Sequence, residues 1–363
     1  MKAVLIGAGQ IARQHLTCLQ GIAGVEVAGV CDLAPSVAEC AAERHGVPRW
    51  FTDHRRMLAE VRPDVVHVTT PPGSHLRLAM DALDAGAHVV VEKPATSTLA
   101  ELEQLARRAE QTGRALVEDY NYLFNRAPRE ILRRIESGAL GTVVHVEVTL
   151  CLDILGPSGF ADPNAPHPAL ALRGGAIADF LPHLASLAHL FVGRHRSVRT
   201  LWMKRSATLL PSDEFRAVVE CERGTASLAF SASSQPDAFW LRVYGTRMQA
   251  SANLFETRMT FDGLRPGPKP LRPFVNGLLE GRDVARAAVA TLARKFIGGP
   301  GSYEGLFELL TRLYGALRTG AELPVTLGQV LEVNRMVEAL KPVEEAPAAQ
   351  PLRLAGGRDG GRA

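Results

Sequence analysis

The chain has 363 residues, 46% of them hydrophobic and 22% charged, which is typical of a globular protein with enough material for two hydrophobic cores. Its 41 Lys and Arg against 38 Asp and Glu leave a net charge of +3, too small and too scattered an excess to favour a nucleic-acid partner. The five cysteines are an odd number with no C-x-x-C pair, which argues against a disulfide framework and predicts no metal site.

The first strand is predicted within the first seven residues, so we expect no secretory leader ahead of it. No stretch reaches the ~18 continuous apolar residues that a membrane-spanning helix needs. The sequence therefore predicts a cytoplasmic protein with no membrane partner.

The first third of the chain alternates short apolar runs with longer helix-patterned stretches. The predicted strands cover 3–7, 25–32, 65–70, 88–94 and 115–121. Between them, apolar residues recur near every 3.6 positions, and several of these stretches end at a glycine. Short, non-alternating strands separated by helices are typical of a parallel sheet covered on both faces. This pattern predicts a doubly wound α/β domain of the Rossmann type over residues 1–122.

The pattern changes after about residue 125. Predicted elements are a helix over 126–141, a strand over 143–150, an apolar helix over 176–192, strands from about 196 to 262, and helices over 275–297, 302–318 and 327–340. Strands that follow one another without helices predict an antiparallel sheet, hence an α+β substrate and oligomerisation domain over 123–341. Residues 155–168 are predicted as a surface loop and 342–363 as a disordered tail.

A glycine-rich motif, G-x-G-x-x-A, follows the first strand and opens the first helix. Gly7 allows a tight turn, Gly9 lets a pyrophosphate approach the backbone, and Ala12 lets helix and strand pack closely. Gln10 and Ile11 begin the helix, whose N-terminal N–H groups are placed to bind phosphate. The alternative is a structural glycine turn in a flavodoxin-like sheet. The strand–turn–helix context favours the dinucleotide interpretation.

Asp32 ends the second strand, twenty residues after Ala12, where an acid is expected to hydrogen-bond the adenosine ribose. A carboxylate there repels a 2′-phosphate, and no arginine stands in the following Leu33-Ala34-Pro35. NAD(H) is therefore preferred as the cofactor over NADP(H). Asp32 is also a candidate N-cap for the helix that starts at Pro35, a role compatible with ribose binding.

Two further motifs lie at the carboxyl ends of predicted strands, which is the edge where open α/β sheets bind ligands. They are TTPPGSH over 69–75 and Glu92-Lys93-Pro94. The ammonium group of Lys93 is suited to polarise a carbonyl or alcohol oxygen during hydride transfer. The alternative is an ordinary Glu–Lys surface pair, and the tripeptide by itself does not decide between the two.

Asp179 and His183 lie four residues apart on the predicted helix, so both project from one face. A histidine charged and oriented by a carboxylate is a general acid/base unit, and Gly174-Gly175 just ahead permits close approach of a ligand or strand. For the isolated pattern, a simple pair of helix neighbours is the more common explanation.

In their order along the chain, GAGQIA at 7–12, TTPPGSH at 69–75, EKP at 92–94 and GGAIADFLPH at 174–183 resemble the Gfo/Idh/MocA family. These are oxidoreductases related to glucose–fructose oxidoreductase and inositol dehydrogenase, and the resemblance covers roughly residues 2–340. It implies an N-terminal Rossmann domain and a C-terminal α+β domain with a large, mostly antiparallel open sheet. It also implies a homodimer or homotetramer formed through that sheet.

The resemblance further implies a role for individual residues. Lys93 would bind the substrate hydroxyl and help move its proton, Asp179 would contact the substrate, and His183 would be the acid/base. The residues expected to bind the cofactor are Gly7, Gly9, Gln10, Ile11, Ala12, Asp32, Thr70, Pro71, His75, Glu92, Lys93 and Asn121. The chain departs from the family pattern at Leu123, Leu181 and Ser186, where many members carry Arg, Gly and Asp.

The predicted function is hydride transfer between NAD(H) and a secondary alcohol or ketone of a sugar, cyclitol or sugar derivative. Two alternatives stay open. One is a non-catalytic NAD-binding sensor or regulator on the same fold, and the other is a reductase of an imine or diol substrate.

Overall fold

The computed structural model describes residues 1–155, 173–206, 210–256, 258–263, 268–297 and 303–342. The predicted loop over 155–168 and the predicted tail over 342–363 lie outside the described residues, apart from one residue each.

The N-terminal part of the chain forms a six-stranded parallel sheet with helices between successive strands. Its strands are β1 (Lys2–Ile6), β2 (Glu26–Cys31), β3 (Trp50–Phe51), β4 (Val65–Val68), β5 (His88–Val91) and β6 (Leu116–Glu118), in the order β3-β2-β1-β4-β5-β6. The helices are α1 (Gln10–Gln20), α2 (Pro35–His45), α3 (His54–Val61), α4 (His75–Asp84) and α5 (Leu99–Thr112). The predicted doubly wound Rossmann fold is confirmed, and the strand order reverses at β1, which creates the crevice where such sheets bind ligands.

The central strands are apolar along their whole length because both faces of the sheet are covered. Every residue of β4 is buried, as are the last four residues of β1. Strand β3 was not predicted, since a two-residue strand is too short to show any hydrophobic period.

The C-terminal part contains a second sheet of seven strands. It is built from β7 (Val143–Cys151), β8 (His195–Met203), β9 (Glu214–Cys221), β10 (Gly224–Ser231), β11 (Ala238–Gly245), β12 (Met248–Asn253) and β13 (Met259–Gly263), in the order β13-β12-β11-β7-β10-β9-β8. Strands β7 and β10 pair in parallel and the other neighbours are antiparallel. The predicted large, mostly antiparallel sheet is confirmed.

One face of this sheet packs against α7 (Ala176–Val192), which contacts β7 and β10, while α6 (Arg126–Glu136) precedes the sheet in the chain. Strand β9 shows the resulting alternation, because Phe215, Ala217 and Val219 are buried whereas Val218 is exposed. The sheet therefore has one packed face and one open face.

Three helices complete the described chain: α8 (Arg272–Ile297), α9 (Glu304–Thr319) and α10 (Leu327–Leu340). Helix α9 contacts α1, and α10 contacts both α5 and α7. Asn334 on α10 donates a hydrogen bond of 2.6 Å to the buried Glu118 of β6. Helix α10 also contacts β6 of the first sheet and β8 of the second, and the division of the chain into domains at residue 122 stays a prediction. In the part of the chain that the structure describes, no helix combines the length and the apolar character that a membrane-spanning segment needs.

Candidate active site

The first βα turn has a backbone that requires glycine at its first position. Gly7 has a φ of +94°, and a Cβ there would lie 2.8 Å from the carbonyl carbon and oxygen of Thr69. The N–H of Gly7 donates to the carbonyl of Cys31, and the hydroxyl of Thr69 donates to the carbonyl of Gly7. This turn is therefore held tightly between β2 and β4.

Gly9 differs from Gly7 because space is open beside it. No described atom lies within 4 Å of the position that a Cβ on Gly9 would take. Helix α1 begins at Gln10 and Ile11, and no described side chain caps its first turn. Ala12 is fully buried against the sheet. Uncapped N–H groups next to open space form the cradle that a pyrophosphate needs, so these residues fit a dinucleotide.

Asp32 ties the ends of β1 and β2 together. Its Oδ2 accepts a hydrogen bond of 2.9 Å from the N–H of Ala8, and its Oδ1 accepts one of 3.0 Å from the N–H of Ala34. The N-cap of α2 is Ala34, so the proposed N-cap role of Asp32 is wrong. Leu33 beside it is 90% exposed.

The TTPPGSH segment is fixed by hydrogen bonds within the protein. The hydroxyls of Thr70 and Ser74 lie 2.7 Å apart, and Pro71 is exposed. His75 is fully buried, with Nδ1 3.0 Å from the carbonyl oxygen of Pro94 and Nε2 2.6 Å from that of Thr70. His75 thus joins two loops at the sheet edge, and its predicted contact with the cofactor stays a prediction.

Lys93 reaches from the end of β5 to helix α7. Its Nζ lies 2.7 Å from Oδ2 of Asp179 and 3.1 Å from the main-chain oxygen of the same residue. The Nζ also lies 5.4 Å from the centre of the Phe180 ring. Glu92 is buried, so Glu92 and Lys93 do not form the surface pair that was the alternative explanation. The Lys93–Asp179 ion pair instead joins the end of β5 in the first sheet to α7, which packs against the second sheet.

His183 lies one helical turn beyond Asp179 and is buried. Its ring packs edge-on against Tyr122, with centroids 4.8 Å apart, and lies 6.4 Å from the Phe180 ring. Among the described residues, its Nδ1 has no hydrogen-bond partner. Burial, with the charge of Lys93 adding to it, lowers the pKa of His183 to about 3. The imidazole is therefore neutral.

The expected unit of Asp179 and His183 is wrong in one respect. Asp179 directs its carboxylate to Lys93, so it does not charge or orient the imidazole. Helical spacing placed both groups on one face, but it carries no information about a lysine that arrives from another element.

The glycine pair ahead of α7 packs against protein. A Cβ on Gly174 would lie 2.8 Å from the ring of Trp202, and one on Gly175 would lie 2.7 Å from Pro211. Both glycines have positive φ values, +95° and +64°. They allow α7 to start close to the second sheet, which places Asp179 at the crevice.

The tyrosines on either side of Asn121 have different surroundings. The hydroxyl of Tyr120 donates to the buried Glu118, whereas Tyr122 packs on His183. The side-chain oxygen of Asn121 accepts a hydrogen bond of 2.9 Å from the N–H of Tyr122. Tyr122 was not among the predicted site residues, and the sequence did not distinguish it from Tyr120.

A second group that the sequence did not reveal lies behind Lys93. His15 of α1 has Nε2 3.0 Å from Oε1 of Glu92 and 3.6 Å from Oδ2 of Asp119. The signal in the sequence was a histidine on the buried face of an amphipathic helix. The ligand-type atoms of these three residues lie within 4.8 Å of one another, but both ring nitrogens of His15 are engaged, since Nδ1 lies 3.0 Å from Nδ1 of His67. Hydrogen bonds therefore account for this cluster.

Comparison with known protein families matches both parts of the chain. Residues 1–120 match the oxidoreductase family with an NAD-binding Rossmann fold, GFO/IDH/MocA, and residues 129–251 match a GFO/IDH/MocA C-terminal domain. A D-glucoside 3-dehydrogenase of Escherichia coli (strain K12) is 31% identical over 144 residues. That match covers 39% of this chain and 41% of the relative, so the alignment spans about two fifths of the relative's own length.

Solved structures resemble nearly the whole chain. A levoglucosan dehydrogenase in complex with NADH and levoglucosan superposes with a TM-score of 0.77 at 19% identity, covering 94% of this chain and 96% of that one. The WlbA dehydrogenase of Bordetella pertussis, in complex with NADH and UDP-GlcNAcA, gives 0.76 at 19% identity, covering 94% of each chain. At these identities the likeness shows a shared fold.

Proposed function

The chain belongs to the GFO/IDH/MocA family of oxidoreductases, and from this premise we propose that it is an NAD(H)-dependent dehydrogenase. Its reaction is hydride transfer between nicotinamide and a secondary alcohol or ketone carbon of a sugar, cyclitol or sugar derivative. The observation that carries the proposal is the Lys93–Asp179 pair beside the buried His183, at the same sheet edge as the open turn at Gly9.

The residues around the first turn fit a dinucleotide. The uncapped start of α1 would bind the pyrophosphate, and the carboxylate of Asp32 would accept from a ribose hydroxyl. Leu33, exposed at the end of β2, would give the adenine ring an apolar surface to lie on. Thr70, Pro71, Glu92 and Asn121 lie farther along the sheet edge and are proposed for the nicotinamide half.

When bound, the nicotinamide ring supplies or accepts the hydride. Lys93 then handles the proton that accompanies it. In the direction of reduction, its ammonium donates a proton to the carbonyl oxygen as the hydride reaches carbon, and oxidation reverses the step. Asp179 holds that ammonium from two sides, through its carboxylate and its main-chain oxygen, and so fixes the nitrogen in position.

We assign His183 a different part from the one expected from sequence. A buried imidazole with a pKa of about 3 binds a proton poorly near neutral pH. A neutral ring can still hydrogen-bond a substrate oxygen, and its packing on Tyr122 fixes the ring plane. We therefore propose that His183 orients the substrate oxygen toward Lys93, which carries the proton.

A thermal-unfolding screen tests this function against the sensor alternative. NADH is expected to raise the melting temperature, and a panel of sugars, cyclitols and sugar nucleotides, added with NAD⁺, is expected to include ligands that raise it further and reduce the cofactor. A sensor would instead bind NADH tightly and show no turnover with any member of the panel. A second panel of imines, added with NADH, tests the remaining alternative, and turnover restricted to that panel would favour the imine reductase.

Asp32 carries the expected choice of cofactor. We expect kcat/KM with NAD⁺ to exceed that with NADP⁺ by at least about tenfold, because the carboxylate repels a 2′-phosphate. The double variant Asp32→Ser/Leu33→Arg replaces this repulsion with a cation and is expected to reverse the preference. Initial rates with both cofactors measure it, with Leu33→Gln as the uncharged control. Equal rates for the two cofactors in the wild type would contradict the assignment.

We propose that the open face of the second sheet forms a homodimer or homotetramer. Val144, Leu201 and Val218 on this sheet are each more than half exposed, which is costly in water for side chains of this kind. Light scattering is expected to give a multiple of the 39.1 kDa chain mass. A monomer at all concentrations would contradict this proposal.

A cytoplasmic location is supported by the cysteines. All five thiols are free, and burial, with a contribution from nearby acids, raises the pKa of both Cys18 and Cys31 to about 12. Free thiols suit a reducing compartment, where disulfides do not persist.

A further inference from the structure

A network of hydrogen-bonded, buried side chains extends from helix α9 to Glu92, the residue before Lys93. The hydroxyl of Tyr314 lies 2.9 Å from Nε2 of His67, and Nδ1 of His67 lies 3.0 Å from Nδ1 of His15. Nε2 of His15 then lies 3.0 Å from Oε1 of Glu92. Tyr314, His67 and His15 are fully buried, and they come from α9, β4 and α1. None of the proposed reaction steps uses this network.

The network ends at the Glu92 carboxylate, and both of its oxygens have a hydrogen-bond partner. Oε1 of Glu92 contacts His15, and Oε2 accepts from the main-chain N–H of Lys93 at 3.2 Å. The ammonium of Lys93 points elsewhere, to Asp179. Glu92 is therefore a fixed charge directly behind the residue that we place at the substrate oxygen, and His15 is its side-chain hydrogen-bond partner of opposite charge.

A buried carboxylate is costly unless a cation or several donors compensate it. An imidazolium at His15 does both, because it donates from Nε2 to Glu92 and from Nδ1 to His67. His67 then accepts at Nδ1 and is free to donate from Nε2 to the oxygen of Tyr314. Each ring nitrogen of His15 and His67 has a hydrogen-bond partner in this arrangement.

The charge states of the two histidines agree with this hydrogen-bond pattern. Burial by itself would lower the pKa of His15, but the contacts with Asp119 and Glu92 outweigh burial and raise it to about 9. Burial by itself would raise the pKa of Glu92, but the bond and charge of His15, the charge of Lys93 and a hydrogen bond with Asp119 together outweigh burial and lower it. The pKa of His67 is lowered by burial and by the charge of His15, so its ring is neutral.

We propose that His15, held by His67 and Tyr314, is a positioning residue that keeps the Glu92 carboxylate in place and anionic behind Lys93. This inference rests on the proposed dehydrogenase function, because Lys93 is the group that feels the charge. The anion of Glu92 attracts the ammonium group of Lys93, the proton donor in the direction of reduction, and an uncharged Glu92 would not.

Other titratable groups also face Glu92. Asp119, at the end of β6, is the acid beside it, and burial together with the charge of Glu92 raises the pKa of Asp119. His75 of α4, His183 of α7 and Tyr303 ahead of α9 lie within range of its charge. Burial lowers the pKa of both histidines and raises that of Tyr303, so all three are neutral near pH 7, and the cations that act on Glu92 are His15, which hydrogen-bonds it, and Lys93.

The variant His15→Gln tests the proposal, because the glutamine amide can still donate where Nε2 stood but carries no charge. Without the cation, the pKa of Glu92 rises, and a carboxylate with a raised pKa is lost as the pH falls. We expect kcat/KM for ketone reduction to fall roughly tenfold at about pH 8 and roughly a hundredfold at about pH 5.5, relative to the wild type at each pH. His189→Gln on α7 is the matched control and is expected to keep the wild-type profile. A uniform loss at all pH values would mean a structural role only and would overturn the proposal.

A second readout needs no turnover. In NMR spectra of the ligand-free protein labelled at histidine, His15 is expected to stay protonated well above pH 7, and Glu92→Gln is expected to lower its pKa, since the partner charge is gone. An ordinary His15 titration in the wild type, unchanged in Glu92→Gln, would overturn the pair itself. Absence of turnover in the wild type would instead count against the dehydrogenase function, so the two failures are distinguishable.

Tyr314→Phe covers the case in which His15→Gln does not fold. It removes one oxygen atom and leaves the ring in place. The same acid-side loss is expected, smaller than for His15→Gln, because His67 loses its partner and holds His15 less firmly. The matched variant Tyr120→Phe removes a buried hydroxyl that is bonded to Glu118 and is not part of the network, and it is expected to leave the pH profile unchanged. Identical pH profiles for Tyr314→Phe and the wild type would overturn the part of the proposal that gives Tyr314 a role in holding His15.

Discussion

Lys93→Ala is expected to lower kcat by roughly 10²–10⁴-fold, the usual range for a positioned proton donor. The ammonium of Lys93 is held 2.7 Å from Asp179 at the crevice. Alanine at this position has no group that can donate a proton. NADH affinity is expected to change little, because the pyrophosphate and ribose contacts that we propose lie at the first βα turn. Steady-state rates with the substrate found in the screen, and fluorescence titration with NADH, separate the two effects.

Lys341→Ala is the matched control. The side chain of Lys341 is 16% exposed, like that of Lys93, and pairs with Glu338 at 2.9 Å rather than with Asp179. This variant loses a comparable ion pair and is expected to keep wild-type turnover. If Lys93→Ala and Lys341→Ala behaved alike, Lys93 would have a structural role only. His183→Ala is expected to lower kcat as well, since the substrate oxygen loses a hydrogen bond.

Gly9→Ala is expected to weaken NADH binding by roughly 10–100-fold while the protein keeps its stability. The φ of Gly9 is −71°, which alanine adopts readily, and no described atom approaches the position of the new Cβ. The added methyl group therefore costs the fold nothing and occupies the space proposed for the pyrophosphate. Isothermal titration with NADH and a thermal melt of the same sample measure both quantities.

Gly7→Ala and Gly315→Ala complete this test. Gly7 has a φ of +94° and a Cβ there would clash with Thr69, so Gly7→Ala is expected to lose stability by about 1–3 kcal/mol as well as NADH affinity. Gly315 lies in α9 with no described atom near its Cβ position, and Gly315→Ala is expected to keep both properties. Wild-type NADH affinity in Gly9→Ala would mean that the phosphate lies elsewhere.

Local sequence patterns predicted the fold because each pattern had a strong physical cause. Strands buried on both faces are mainly apolar throughout, as β4 is, and α7, whose residues are mostly apolar, was predicted with both ends correct. The helices predicted to start at 275 and 302 begin instead at Arg272 and Glu304, since no sharp cap marks these boundaries.

The contacts of the site were harder to predict because they are made between elements distant in the sequence. Lys93 and Asp179 were each named as site residues, but their ion pair joins positions 86 residues apart and replaced the expected Asp179–His183 unit. His15 was overlooked because a histidine on a buried helix face has no local signal of its partner, and Glu92 lies 77 residues away. Periodicity reports which face of an element is buried, and it does not report what that face meets.

Transfer of deuterium from the substrate carbon to the cofactor tests both hydride transfer and the role of Lys93. The sugar or cyclitol that the screen selects is labelled with deuterium on every secondary carbinol carbon and incubated with NAD⁺ and the wild-type protein, with Lys93→Ala in parallel. We expect the reduced cofactor to carry one deuterium at C4 of the nicotinamide ring, formed by the wild type and at a far lower rate by Lys93→Ala. Reduced cofactor without deuterium, or equal rates for the two proteins, would contradict the account.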